Sequence, residues 1–196
     1  HLGFGVTVNL SYEPPYQFAR RFASLDHLTQ GRIGWNIVTG YLDSAERLIG
    51  QKGLKDHDQR YEQAEEFLEL CYKFWEGSWQ EDAVRKDKQR RIFTDPAKVH
   101  QIQHAGKYYQ SQGVFQVSPS VQRTPVLFQA GASPRGLQFA ARHAEAVFIG
   151  GDKPEKIKAQ VDKIRSLARE QGRGREAVKV FLGITAVTAE TDALAQ

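Results

Sequence analysis

The chain has 196 residues, 40% of them hydrophobic and 26% charged, which is the composition of a globular protein with one sizeable core or two small ones. Its formal net charge is +4, and five basic residues fall within residues 85–91, where no aromatic side chains are interleaved for base stacking. We interpret this run as a solvated surface loop, and we expect no nucleic-acid partner.

The chain contains one cysteine, Cys71, which excludes an internal disulfide, and no run approaches the roughly 18 apolar residues that a membrane span requires. No signal peptide is visible, so we expect a cytoplasmic protein without a membrane partner. There is no initiator Met, residues 3–10 already have the pattern of a core strand, and a helix is predicted to begin within residues 188–196. We therefore expect the chain to be an internal piece of a longer protein.

Strand-like and helix-like patterns of apolar residues alternate along the chain. Helix starts are marked by Pro14-Pro15 and by Ser133-Pro134, because proline suits the first turn of a helix. Strands are predicted at residues 5–10, 32–40, 125–131, 146–151 and 178–184, and helices at about 15–30, 60–75, 135–143 and 154–171.

The predicted strands are continuous apolar runs, which indicates strands buried on both faces of a parallel sheet that is covered by helices. This α/β alternation fits both an open doubly wound sheet and a (β/α)8 TIM barrel. A full barrel takes about 250 residues, so five strands would form a partial barrel.

Two polar segments interrupt the alternation. Residues 41–57 are predicted to form a loop over an active-site mouth. Residues 76–123 are irregular, with short extended pieces such as residues 107–109. A polar excursion this long is typical of a lid or a substrate-facing insertion.

Polar residues stand near the ends of the first two strands and after the third; they are Thr7, Asn9, Asn36, Thr39 and Ser133. Because ligands bind at the carboxyl ends of strands in α/β folds, we expect these five side chains to converge at one edge. Asn36 stands among apolar neighbours, and a buried amide without a partner costs about 1–3 kcal/mol. Either a ligand or the neighbouring backbone supplies that partner.

His57 and Tyr61 lie four residues apart at the entrance to the second helix, so that both fall on one face of its first turn. Free N–H groups and the positive end of the helix dipole make that turn an anion site. An imidazole and a phenol there could hold a phosphate or the edge of a flavin ring. The alternative is that Asp58 caps the helix and Tyr61 packs.

Small residues follow the third strand in the run Gln129-Ala130-Gly131-Ala132-Ser133. Glycine and alanine let a ligand approach the backbone, and Ser133 stands at the expected N-cap. Ser133 and the helix N–H groups are therefore candidates for binding phosphate oxygens. The run is neither a Walker motif nor a GxGxxG fingerprint, and plain helix capping is the alternative.

Other chemistry has little support in the sequence. His100 and His104 lie four apart without an HExxH motif, so no metal site is predicted. There is no GxSxG nucleophile elbow, and Cys71 lies mid-helix, where we expect it to pack. Carboxylate pairs such as Glu65 and Glu66 are expected on exposed helix faces, and no catalytic residue is assigned.

A group of motifs carries a resemblance to a known family; they are residues 7–16, 19–28, 34–39, 57–61, 104–109 and 128–144, in that order. They resemble the flavin-dependent luciferase-like monooxygenases. Within that family they are most similar to the group of the nitrilotriacetate, dibenzothiophene-sulfone and long-chain alkane monooxygenases. The resemblance covers nearly the whole chain.

This resemblance implies a (β/α)8 barrel, of which residues 1–196 would form a single partial domain, about strands 3 to 7, with an insertion at about residues 79–123. It also implies an enzyme that takes reduced FMN from a separate NAD(P)H:flavin reductase. The enzyme would use O2 to oxygenate a small sulfur- or nitrogen-containing compound or an alkane. The alternatives are a family member that catalyses a different flavin-dependent oxidation, such as cleavage of the flavin ring, and a flavin-binding protein without turnover. The family usually forms homodimers or homotetramers.

By motif, Thr7, His57, Tyr61 and Ser133 match the FMN-contacting positions of the family, and Asn36 is expected to face the same pocket. His57 and Tyr61 would reach the flavin and its phosphate, and Ser133 would reach the phosphate. Relatives often carry two serines after Gln-Ala-Gly, where this chain has one, preceded by alanine. We therefore expect one phosphate donor to be missing.

Overall fold

The computed structural model describes residues 2–174, 176–191 and 193. The chain divides into two compact units, His1–Phe128 and Gln129–Gln196. The predicted alternation of strands and helices is confirmed in both units. The prediction of one barrel domain over residues 1–196, with an insertion at about residues 79–123, stays a prediction.

The first unit begins with two strand–helix pairs and continues into a long third helix. Its first elements are β1 (Phe4–Asn9), α1 (Pro15–Thr29), β2 (Ile33–Val38), α2 (Asp43–Leu48) and α3 (His57–Tyr72), and a π-helical turn, Lys73–Gly77, follows. The strands β1 and β2 are parallel, with Thr7 opposite Asn36. On its other side β2 adjoins β7 (Val126–Gln129), so β2 is an inner strand of the sheet.

The helix boundaries follow local signals. Pro15 is the first residue of α1, and Gln30 ends this helix in the left-handed conformation, with φ of 54°. Both bounds agree with the prediction. The segment 41–57 was predicted to be a loop, and this is wrong in part, because α2 occupies six of its residues. The side chain of Asp43 stabilises this short helix by accepting hydrogen bonds from Arg47 and from the N–H of Leu54.

An aromatic cluster forms the core of the first unit. Trp35 of β2 is fully buried, and its ring centroid lies 4.2 Å from that of Phe18 and 6.0 Å from that of Phe67. The Trp35 indole N–H donates a hydrogen bond of 3.2 Å to the carbonyl oxygen of Val8. Phe18 belongs to α1 and Phe67 to α3, so these helices cover one face of the strand pair.

The strands are less buried than their sequences predict. In β2 four of six residues are buried, but in β1 only Val8 and Asn9 are, and the side chain of Phe4 is 52% exposed. The prediction of burial on both faces is therefore wrong for β1. β1 is more exposed than predicted because it is the terminal strand of the sheet in the part of the chain that the structure describes.

Two antiparallel hairpins follow α3. They are β3 (Val84–Asp87) with β4 (Ile92–Thr94), and β5 (Ile102–Ala105) with β6 (Gln110–Gly113). The prediction that residues 107–109 are extended is wrong, since they form the turn between β5 and β6. Aromatic residues in this turn resemble a strand by composition, but their backbone N–H groups bind a helix carboxylate instead of a neighbouring strand.

The second unit contains α4 (Pro134–His143), β8 (Ala146–Ile149), α5 (Pro154–Glu170) and β9 (Lys179–Leu182). The strands β8 and β9 are parallel, with Ala146 opposite Lys179. Small and branched residues fill its core; they are Ala140, Ala141, Ala144, Val147, Ile164, Ala168 and Val178. A helix was predicted to begin within residues 188–196; residues 188–191 are not helical, and residues 192 and 194–196 lie outside the described residues.

Candidate functional site

Thr7 and Asn36 form a polar pair on the face of the strands that is turned away from the aromatic core. The Asn36 Nδ2 group donates a hydrogen bond of 3.0 Å to Thr7 Oγ1. The Asn36 Oδ1 atom is buried and accepts no hydrogen bond from any residue that the structure describes. The Asn36 carboxamide was predicted to need a partner, and its Nδ2 group has one in Thr7, whereas its Oδ1 atom has none among the described residues.

Thr7 also lines a groove of about 460 Å3, a volume within the range of small-molecule sites. Most of its wall is apolar, with Val6, Val8 and Val38 among the lining residues. The wall also contains Arg21, which forms an ion pair with Glu13. The groove therefore combines an apolar surface with a cation that is already neutralised.

The predicted convergence of strand-end side chains is only partly observed in the first unit. Asn9 is buried, and its Nδ2 group donates a hydrogen bond of 3.3 Å to Glu46 Oε1. The hydroxyl of Ser11 donates to the same carboxylate oxygen over 2.5 Å. Asn9 thus links the end of β1 to α2. Glu46, which is only 5% exposed, was not predicted.

The glycine after β2 makes room for this buried network. Gly40 has φ of +81°, and a Cβ there would lie 2.9 Å from Asn9 Nδ2 and 3.0 Å from Glu46 Oε1. Thr39 and Glu46 line a separate cavity of about 50 Å3, beside Arg60 of α3. A cavity of this volume has room for a few water molecules but not for a larger ligand.

His57 and Tyr61 occupy one face of the first turn of α3, as predicted. Their ring centroids lie 5.0 Å apart, with His57 exposed and Tyr61 buried. His57 Nδ1 lies 2.8 Å from Asp58 Oδ1. The alternative reading is wrong for Asp58, since Asp56 is the N-cap residue and makes no side-chain cap hydrogen bond, but it is confirmed for Tyr61, which packs in the core. The second imidazole nitrogen of His57 has no hydrogen bond to the described residues.

Glu66, on the same helix, holds the turn between β5 and β6 against α3. Its carboxylate accepts hydrogen bonds from the N–H groups of Tyr108 and Tyr109, at 2.9 and 2.7 Å, and lies 3.2 Å from His104 Nε2. We call these contacts the Glu66 clasp. The expectation that Glu66 lies on an exposed helix face is wrong, since its side chain is only 13% exposed.

The Glu66 clasp shifts the ionisation of two of its groups. Burial raises the pKa of the Glu66 carboxyl, but the hydrogen bonds from Tyr108, Tyr109 and His104 outweigh burial, and the pKa lies below its ordinary value. Burial also raises the pKa of Tyr109 to about 12, although Gln63 donates a hydrogen bond of 2.7 Å to its hydroxyl. The clasp therefore holds a carboxylate and a neutral phenol at neutral pH.

Ser133 in the second unit is the N-cap of α4, as predicted. Its Oγ accepts a hydrogen bond of 3.0 Å from the N–H of Gly136, and Pro134 is the first helical residue. A serine hydroxyl that accepts one hydrogen bond still has its proton to donate. Helix capping is thus confirmed, and phosphate binding by Ser133 stays a prediction.

The described residues contain no group of three His, Cys, Asp or Glu side chains that could hold a metal ion. Cys71 packs in the core as predicted, and burial raises the pKa of its thiol well above the usual value. Among the helices that the structure describes, none is both long and apolar enough to cross a membrane.

Comparison with known proteins shows to which family this chain belongs. The family model for luciferase-like monooxygenases matches residues 1–196. The chain belongs to the luciferase-like monooxygenase family. The resemblance of the sequence motifs is thereby confirmed.

Similar luciferase-like proteins include the long-chain alkane monooxygenase of Geobacillus thermodenitrificans, which is 51% identical over 97% of this chain and 43% of that protein. The dimethyl-sulfide monooxygenase of Hyphomicrobium sulfonivorans is 49% identical over all of this chain and 41% of that protein. The chain therefore spans less than half the length of these relatives.

The fold of this luciferase-like chain also matches solved structures. A riboflavin lyase, solved with modified FMN and riboflavin, superposes with a TM-score of 0.93 and 47% identity, over 98% of this chain and 43% of the lyase. The predicted α/β class, with a parallel sheet of the luciferase-like barrel type, is confirmed.

Proposed function

We propose that this protein is an FMN-dependent monooxygenase, which uses reduced FMN and O2 to oxygenate a small organic molecule. One observation carries the proposal beyond family membership: the buried Asn36 Oδ1 atom beside Thr7, which has no partner among the described residues. A polar acceptor at this depth costs free energy unless a ligand completes its hydrogen bonding. A flavin ring presents N–H groups along its polar edge and fits this requirement.

The other proposed FMN contacts come from helix starts. One imidazole nitrogen of His57 has no hydrogen bond to the described residues, and it lies on the first turn of α3, where helix N–H groups and the dipole favour a phosphate. The Tyr61 ring lies 5.0 Å from the imidazole, tilted by 54°, and would bound the same site. Ser133 begins α4 and would donate its hydroxyl proton to a phosphate oxygen. These residues fit FMN better than riboflavin, because most of their proposed contacts are to the phosphate group, which riboflavin lacks.

Bound reduced flavin supplies the electrons that activate O2 and allow one oxygen atom to be transferred to the substrate. The protein's own residues then have three tasks: to bind the flavin, to orient the substrate, and to exclude water. The apolar groove beside Thr7, with Val6, Val8 and Val38 in its wall, would serve the last two. This division of labour needs no acid–base triad, in agreement with the absence of a recognised triad motif in the sequence.

The apolar groove also supports the proposed substrate class, a sulfur- or nitrogen-containing organic compound or an alkane. Two of the relatives reported above are named for apolar compounds, one for long-chain alkanes and the other for dimethyl sulfide. We propose a separate NAD(P)H:flavin reductase as the source of reduced FMN, and a homodimer or homotetramer as the assembly.

A second candidate function is cleavage of the flavin ring itself. The likeness to the riboflavin lyase favours it, because that protein was solved with riboflavin as its substrate. A flavin-binding protein without turnover is the third possibility. Consumption of NADH and O2 with an added reductase separates an enzyme from a binding protein. Product identity then separates substrate oxygenation from cleavage of added riboflavin.

The first test is a titration of the purified protein with FMN and with riboflavin, followed by flavin fluorescence. We expect saturable FMN binding, weaker binding of riboflavin, and weaker FMN binding after His57→Ala or Ser133→Ala. Ser24→Ala is the matched control, since the Ser24 hydroxyl only donates to the carbonyl oxygen of Arg20 within α1. Absence of FMN binding to folded protein would contradict the proposal.

A further inference from the structure

The segment of residues 41–54 is attached to the rest of the first unit through one buried carboxylate. Glu46 is the only buried residue of α2, and it is the only residue of the segment whose described side-chain hydrogen bonds reach outside the segment. Its Oε1 atom accepts hydrogen bonds from Asn9 Nδ2 and Ser11 Oγ, at 3.3 and 2.5 Å. We call these contacts the Glu46 latch, because they tie α2 to the end of β1.

The apolar side chains of the same segment add little packing to this attachment. Tyr41 and Leu48 are 80% and 89% exposed, and Leu42 and Ile49 are exposed as well. The buried side of α2 borders the cavity of about 50 Å3 described above, so part of the contact is a void without packed atoms. Segments with few buried apolar contacts open locally at a low cost in free energy. The latch is therefore the main restraint on this segment.

The internal structure of the segment depends on the latch. A helix of six residues is not stable in water by itself. Asp43 closes the segment on itself by accepting a hydrogen bond of 2.9 Å from the N–H of Leu54, but this bond lies at the surface. When the Glu46 contacts break, α2 should therefore melt. Melting exposes the N–H groups of residues 49–51, which bond to carbonyl oxygens within the segment.

The segment also contributes to the wall of the groove beside Thr7, because Tyr41 and Leu42 line that groove. We propose that Glu46 is a positioning residue, which latches residues 41–54 to the end of β1 and so holds this wall in place. Release of the latch opens the segment on its own and removes part of the wall. The assignment of the groove to a substrate rests on the proposed function, whereas the latch is a property of the protein without flavin.

The test is amide hydrogen exchange of the flavin-free protein, measured by mass spectrometry on peptides from residues 41–54 and 62–72. In wild type we expect the first segment to exchange at least about ten-fold faster than the second, which lies in α3. Glu46→Ala should accelerate exchange in residues 41–54 by a further factor of about ten, because the latch is lost. Alanine is the stronger helix former, so helix propensity would act in the opposite direction.

Three further variants make the test specific to the latch. Glu46→Gln keeps an acceptor oxygen for Asn9 and Ser11 and should retain most of the protection. Leu48→Ala is the matched control on the same helix, since Leu48 is exposed, and it should leave the exchange rate unchanged. Ser11→Ala removes one donor of the latch and should accelerate exchange even if Glu46→Ala fails to fold.

Two results would overturn the proposal. Exchange of residues 41–54 at the rate of residues 62–72 would show that the segment opens only together with the whole unit. Equal exchange in Glu46→Ala, Leu48→Ala and wild type would show that the carboxylate is not the restraint. Because the measurement needs no flavin, a protein that fails to bind FMN would overturn the proposed function and leave the result on the latch unchanged.

Discussion

The two faces of β2 are built from different kinds of residue. Trp35 and Ile37 point to one face and are buried against α1 and α3, with every polar atom of Trp35 paired. Asn36 points to the other face, is half-buried, and has an oxygen that accepts no hydrogen bond from the described residues. One strand therefore carries both the packing that stabilises the unit and a polar side chain that we propose for ligand binding. Substitutions on the two faces should therefore have separable effects.

The largest effect is expected on the packed face. Trp35→Ala should lower the free energy of unfolding by about 3–5 kcal/mol, because it leaves a cavity between Phe18 and Phe67. It also removes the donor to the Val8 carbonyl. Urea denaturation measures the loss, and Trp35→Phe, which keeps a ring, should lose less. A loss below about 1 kcal/mol would show that this cluster does not stabilise the unit.

The Glu66 clasp extends the packed region by fixing the β5–β6 turn to α3. Glu66→Ala should cost about 2–3 kcal/mol, because it leaves the N–H groups of Tyr108 and Tyr109 without their acceptor. Glu62→Ala is the comparison, one helical turn away, since the half-exposed Glu62 side chain contacts the same turn only through the side chains of Lys107 and Tyr108 and binds neither backbone N–H group. Equal losses from both substitutions in denaturation curves would contradict a special role for Glu66.

The clasp should also make stability depend on pH. The folded-state pKa of Glu66 lies below its ordinary value of 4.5, so its contribution is fully present above that value. It is lost as the pH falls through the lower pKa of the folded protein. The unfolding midpoints of wild type and Glu66→Gln should therefore converge on acidification, and a constant difference at all pH values would contradict this.

A smaller effect is expected at the turn that leaves β2. Gly40→Ala should cost about 2 kcal/mol, from the left-handed backbone and from the close approach of the new Cβ to Asn9 and Glu46. Gly50 has nearly the same φ, +83°, but open space around it, so Gly50→Ala should cost only about 1 kcal/mol. Thermal unfolding of both variants measures the difference, which is the cost of crowding the buried Asn9 and Glu46 side chains.

The smallest effect on stability is expected on the polar face. Asn36→Leu should change the free energy of unfolding by less than about 1 kcal/mol, and in the stabilising direction, because it removes a buried acceptor that has no partner among the described residues. Measured beside Trp35→Ala, this variant gives the contrast between neighbouring residues. A loss as large as that of Trp35→Ala would show that both faces serve the fold alone.

Signals within a few residues of each other predicted most of the fold. Pro15 marked the start of α1, Gln30-Gly31 its end, and Ser133 the N-cap of α4, because each acts through its own backbone geometry. The burial of Trp35 followed from the continuous apolar run of β2. The pairing of His57 with Tyr61 followed from helical spacing.

The missed features depend on residues that are far apart in the sequence. Glu46 binds Asn9, which lies 37 residues before it, and Glu66 binds Tyr109, which lies 43 residues after it. Neither carboxylate differs locally from a solvated helix residue, so only the tertiary structure shows that it is buried. The turn at residues 107–109 was missed for the same reason, since its hydrogen bonds go to Glu66.

The rate at which the buried thiol of Cys71 is alkylated reports how often the first unit opens. Cys71 lies on α3 with its Sγ 4.0 Å from the carbonyl oxygen of Pro15 on α1, and the sequence contains no other cysteine. An alkylating reagent can reach this sulfur only when the two helices separate. In native protein the rate of labelling at Cys71 therefore measures how often α1 and α3 separate. A ligand that tightens the first unit should slow that rate without touching the cysteine.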